Sequence, residues 1–236
     1  MADFLLIHGS CHGAWCWDQV VALLRTKGHS ARAIDLPGHG ADTTPVAKVT
    51  LARYGQAIAA ACGPHTVLVG HSMGGYAITA AACLVPERIR KLIYLCAYVP
   101  QPGLSLAQMR KLAPTQPLLR AMRMTADGIG FTIDPDMAPE VFYHDCAADL
   151  TQAAIARLCV QPVAPTNMPF EGTPAQAALP RHYIRCTDDR AVPPAFQITM
   201  TRDWPATDVQ DMECGHSPFF ADPEGLVRCL ETASET

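Results

Sequence analysis

Val67-Leu68-Val69-Gly70-His71-Ser72-Met73-Gly74-Gly75 is the stretch that decides how this chain is read. A short apolar, β-favouring run ends in Gly-His-Ser-Met-Gly, and a helix-compatible segment, 76–84, follows at once. A serine on so sharp a strand-to-helix bend needs glycine at 70 and 74, because only a residue without Cβ lets neighbouring backbone pass that close. The bend leaves the Ser72 hydroxyl exposed at the carboxyl end of the strand. The helix N-terminus behind it favours negative charge developing on a bound substrate. G-x-S-x-G alone is a weak pattern; between a strand and a helix, with a further glycine at 75, it is a strong one. Ser72 is the expected nucleophile.

On either side of this bend, short and nearly continuous apolar runs alternate with helical stretches, the signature of a parallel sheet with crossover helices. The expected strands are 4–8, 31–35, 66–70, 92–97, 182–186 and 208–213. Such unbroken hydrophobicity suits strands covered on both faces. Helices are expected over 15–27, 51–62, 73–84, 194–202 and 223–233, with Gly28 closing the first as its C′ residue. The beat breaks over 100–179, where proline is frequent and helical pieces are expected around 104–123, 138–146 and 147–159. The chain thus reads as one α/β domain, 1–236, of about six mostly parallel strands flanked by helices, with a helical cap, 100–179, inserted after the fourth strand.

The 236 residues suffice for one such domain with a full core. Hydrophobic residues make up 49% and charged ones 17%, as in ordinary globular chains. A formal charge of −4 and a pI near 6.1 offer no basic face for a phosphate backbone, so no nucleic-acid partner is expected. No run approaches the ~20 apolar residues that span a bilayer, and Met1-Ala2-Asp3 carries no positive leader. A cytoplasmic protein without membrane partner is expected, its oligomeric state open. The ten cysteines are scattered without a C-x-x-C pair and are expected as free thiols. His8, Cys11, His12 and Cys16 cluster, yet their spacing matches no standard zinc pattern, and neither metal nor organic cofactor is expected.

A serine hydroxyl needs a base, and the base an orienting acid. On this kind of bend the chain order is Ser, acid, His, each from a loop after a later strand. His216, in Cys214-Gly215-His216-Ser217-Pro218, follows the last expected strand and is the expected base. For the acid, the strand 182–186 runs into Thr187-Asp188-Asp189-Arg190, and both aspartates qualify. The oxyanion donors expected are the backbone amides of Met73 and of Ser10, the latter in the loop after the first strand. In that loop His12 and Trp15 either line the pocket or brace it. Asp35-Leu36-Pro37-Gly38-His39-Gly40 is turn chemistry and reads as structural.

Three runs together resemble the plant methylesterase and hydroxynitrile lyase branch of the α/β-hydrolases and its bacterial esterase relatives. They are Leu5-Leu6-Ile7-His8-Gly9-Ser10-Cys11-His12-Gly13-Ala14-Trp15-Cys16-Trp17, the Gly70–Gly75 bend, and Cys186-Thr187-Asp188-Asp189-Arg190-Ala191-Val192-Pro193-Pro194-Ala195-Phe196-Gln197. The similarity covers nearly the whole chain and is weakest over 105–175. The resemblance implies an α/β-hydrolase fold, and in the T-x-D-x-x-[IV]-P pattern of that branch the catalytic acid falls on Asp189. It also carries a departure. Cyanohydrin-cleaving members have lysine directly after the catalytic histidine, where this chain has Ser217, and that argues for ester hydrolysis.

The resulting expectation is a serine esterase acting through an acyl-enzyme on a small to medium, mostly apolar ester, with cap side chains such as Met109, Phe131 and Phe142 shaping the pocket. The alternatives are hydroxynitrile lyase chemistry on the same residues, or a non-catalytic ligand-binding protein of the same fold. A dehalogenase would need Asp in place of Ser72.

Overall fold

The computed structural model describes residues 1–235. Its main sheet has six strands: β1 (Asp3–Ile7), β2 (Ser30–Ile34), β3 (Thr66–His71), β4 (Ile89–Leu95), β8 (Arg181–Cys186) and β9 (Val209–Met212). They lie in the order β2-β1-β3-β4-β8-β9, with every neighbouring pair parallel. All six residues of β3 are buried, as its apolar run requires. The pleat sorts side chains by alternation. Leu5 and Ile7 enter a core cluster with Tyr54 and Ile58 of α2 (Leu51–Ala61), Tyr76 and Ile78 of α3 (Gly74–Ala82), and Phe196 of α9 (Pro194–Thr201). Phe4 and Leu6 enter the opposite one with Val20 and Leu24 of α1 (Asp18–Thr26) and Leu226 and Leu230 of α11 (Pro223–Glu235).

Between β4 and β8 the chain departs from the expected run of helices. Helices are present, α4 (Leu106–Lys111), α5 (Ala138–Phe142), α6 (Ala148–Ile155), α7 (Ala164–Asn167) and α8 (Pro174–Ala177), but so is a three-stranded antiparallel sheet, β5 (Met122–Met124), β6 (Gly130–Ile133) and β7 (Gln161–Pro162). The helix expected over 104–123 stops at Lys111 because Pro114 and Pro117 cannot continue it. A Thr125–Gly128 turn then makes a hairpin: Asp127 Oδ1 accepts from Thr125 Oγ1 at 2.6 Å and from the Ile129 amide at 3.2 Å, and Gly128 takes φ 71°.

The insertion is fastened to the rest around its third strand. The Cys159 amide donates to Cys11 O at 2.9 Å. Buried Gln161 bonds His39 Nε2 through Oε1 at 3.0 Å and donates through Nε2 to the Tyr54 hydroxyl at 3.2 Å. α10 (Pro218–Ala221) leads into α11.

Candidate active site

Ser72 sits at the carboxyl end of β3 with φ 55°, the left-handed region that a side-chain-bearing residue occupies only under constraint. The constraint is visible. The Ser72 amide donates to Leu95 O at 3.2 Å and Ser72 O accepts from the Tyr98 amide at 3.1 Å, tying the bend to the end of β4. The glycines follow from crowding. A Cβ at Gly70 would lie 2.7 Å from Gly74 O, one at Gly74 2.9 Å from His8 O, and one at Gly75 would collide with Tyr98 O. The loop after β1 comes equally near, since a Cβ on Gly9 would fall 2.9 Å from that of Ser72. Ser10 follows in that loop. Among the described residues neither its amide nor that of Met73 donates to another protein group.

The loop after β8 separates the two aspartates that the residues left open. Asp188 points outward, with its Oδ2 2.9 Å from His144 Nε2 of the insertion. Asp189 turns inward and is buried. Its Oδ1 accepts from the amides of Ala191 at 2.7 Å and Val192 at 2.8 Å, and its Oδ2 accepts from His216 Nδ1 at 2.8 Å. Gln197 Nε2 also donates to Oδ2, at 3.1 Å. His216 follows β9 and lies against the serine bend: its carbonyl accepts from His71 Nε2 at 2.8 Å, and the two imidazoles are 4.6 Å apart. Beneath it, Cys96 Sγ stands 3.9 Å from Nδ1. Above it, the Phe142 ring stacks at 5.4 Å.

The insertion also holds the loops themselves. Asp145 Oδ2 accepts from the Gly215 amide at 2.6 Å, Cys146 Sγ donates to Ser217 O at 3.9 Å, and Glu140 pairs with Arg190 at 2.7 Å. The stretch 140–146 therefore touches the loops on both sides of the Asp189–His216 pair.

Of the expected pocket residues, Phe142 contacts His216 directly. His12 is a brace. Its Nδ1 donates to Ser10 O at 2.8 Å and its Nε2 accepts from the Tyr143 hydroxyl at 2.7 Å, and burial holds its pKa down at about 4, so the ring is neutral. Trp15 is half-buried, stacked between His12 at 5.5 Å and Phe220 at 6.1 Å with the Arg157 guanidinium over its face. Met109 packs in the core cluster of α2 and α3, and Phe131 in the insertion's own cluster beside Phe142 and Tyr143. In the His8–Cys16 group, His8 spends one ring nitrogen on Gly9 O and the other on the Leu36 amide, so it has no lone pair to give an ion. Asp35 accepts from the amides of Ala14 at 2.6 Å and Ala41 at 2.9 Å, and so serves the turn. Gln197, Asp145 and Tyr143 carried no local signal in the sequence, because each acts across more than one element.

Comparison with known proteins bears on the fold and the kind of reaction. The profile described as "Alpha/beta hydrolase family" matches residues 4–228. An esterase of Oryza sativa subsp. japonica, Esterase PIR7B, is 34% identical over an alignment of 177 positions that covers 67% of this chain and 65% of that protein. Methylesterase 7 of Arabidopsis thaliana is 28% identical, across 96% of this chain and 94% of its own. The crystal structure of a pyrethroid hydrolase from Sphingobium faniae JZ-2 superposes with a TM-score of 0.88 at 27% identity, covering 100% of this chain and 98% of that one.

Proposed function

This chain belongs to the alpha/beta hydrolase family and is a carboxylic ester hydrolase, and on that premise we propose that it works through a Ser72–His216–Asp189 triad and an acyl-enzyme. The observation that carries the reading is the buried 2.8 Å bond from His216 Nδ1 to Asp189, made beside a serine held at φ 55°. With Nδ1 protonated toward Asp189, the lone pair of Nε2 is the base. It takes the hydroxyl proton as Ser72 Oγ attacks the ester carbonyl. Asp189 stabilises the imidazolium, which returns the proton to the departing alkoxide. Water, deprotonated by the same nitrogen, then cleaves the acyl-enzyme and restores the serine.

The amides of Ser10 and Met73 receive the oxyanion; among the described residues neither donates to a protein group, which leaves both available for it. The residues 100–179 act as a cap whose aromatic face, Phe142 foremost, covers the reacting carbonyl and favours small to medium, mostly apolar esters in the cytoplasm. Lyase chemistry is disfavoured. Cyanide departure wants a cation after the histidine, and Ser217 supplies a neutral, buried hydroxyl.

The test is a panel of p-nitrophenyl and methyl esters of graded size with wild type and Ser72→Ala, together with mass spectrometry of the trapped acyl-serine. We expect kcat to fall by at least about 10³-fold in the variant. Equal turnover by both proteins would overturn the proposal.

A further inference from the structure

Gln197 is fully buried on the first turn of α9, where a leucine or methionine would fill the space without the cost of burying an amide. Its bonds account for the choice. Oε1 accepts from the Cys186 amide at 3.0 Å, while Nε2 donates to Val192 O at 2.8 Å and to Asp189 Oδ2 at 3.1 Å. The orientation of the amide is dictated, because the opposite one would set oxygen against two acceptors and nitrogen against a donor. The β8 backbone therefore aims an N–H at the same carboxylate oxygen that holds His216. Besides His216 and the weakly donating Cys96 thiol, Gln197 is the side chain that bonds Asp189 among the described residues; the backbone amides of Ala191 and Val192 go to the other oxygen.

We propose that Gln197 is a positioning residue of the esterase reaction: it locks the Asp189 carboxylate toward His216 and draws off part of its negative charge. The inference rests on the triad reading above. Without the Gln197 donor, Oδ2 leans more heavily on the imidazole. The imidazolium is then stabilised, so a higher pH is needed to free the base. The carboxylate also gains freedom to turn, which slows the chemical step without touching the substrate site.

The experiment is Gln197→Met, assayed per active site titrated with a fluorophosphonate so that misfolded chains do not count. We expect kcat to fall about tenfold with KM within about twofold, and the acid limb of kcat/KM to move up by roughly half a pH unit. A merely structural glutamine would lower the number of titratable sites or the melting temperature and leave kcat per site and the pH limb unchanged; that result overturns the proposal. So does a limb that moves down. Ser72→Ala run alongside separates the two levels. If it stays active, the triad falls and this role with it; if it is dead while Gln197→Met is wild-type per site, only the positioning role falls. Should Gln197→Met yield no folded protein, wild type still decides. The side-chain NH₂ resonances of Gln197 shift as His216 titrates if the contact is electrostatically coupled, and resonances that stay constant overturn it.

Discussion

Asp188 and Asp189 are chemically identical neighbours with opposite surroundings, one facing His144 at the surface and the other sealed beneath His216. Local sequence cannot distinguish them, because what differs is the direction in which the chain leaves β8, and that is fixed by the Ala191, Val192 and Gln197 donors closing on Asp189. Their substitutions should differ accordingly. Asp189→Asn removes the charge that supports the imidazolium and should lower kcat by about 10⁴-fold. Asp188→Asn perturbs only an exposed contact with His144 and should change kcat by less than about twofold. Steady-state kinetics on the two variants checks this, and similar losses in both would refute it. The bend at Ser72 was readable because part of its constraint is local: Gly70 is crowded by the Gly74 carbonyl of the same nine residues, although Gly74 itself is crowded from outside them, by His8 O.

At the level of elements, the six strands and the helices between them were readable, since the inner strands bury on both faces and even the half-covered edge strands β2 and β9 are short runs bounded by turns. The hairpin β5–β6 was not. Its pairing is set by the turn at Asp127 and Gly128, and its few residues carry too short a pattern to outweigh an apolar stretch that also suits a helix. The stretch 140–146 gives two further predictions. Asp145→Ala strips the acceptor from the Gly215 amide and lets the His216 loop drift, so kcat should fall about tenfold or more. An unaltered kcat would show that the loop holds itself. Tyr143→Phe leaves the buried His12 Nε2 without its donor and should cost about 1–3 kcal/mol in denaturant unfolding.

For the molecule as a whole, the buried imidazoles set the response to acid. Burial depresses His8, His12 and His71, all three also through neighbouring imidazoles, and His12 falls from 6.5 to about 4. A histidine that binds its proton less readily when folded contributes stability in full above pH 6.5. That stability drains away as the pH falls toward the folded value, because the unfolded chain takes up protons first. His12 alone would account for about 3 kcal/mol by pH 4. Thermal melts should therefore drop clearly between pH 7 and pH 5, and coincident melts would contradict the buried, neutral rings. None of this could be seen in composition, since nine histidines on a surface would titrate with little consequence.

The fastenings at Gln161 and Tyr143 carry a practical corollary for anyone wishing to redesign the enzyme. They make the roof an arch on two abutments; β6 bears on the first through its pairing with β7, and the crown that bears on neither is the outer strand β5 with the Thr125–Gly128 turn. Recarving the crown with libraries or grafts should alter which guests are admitted while the masonry below stays standing. Tampering with either abutment would bring down the vault along with the door.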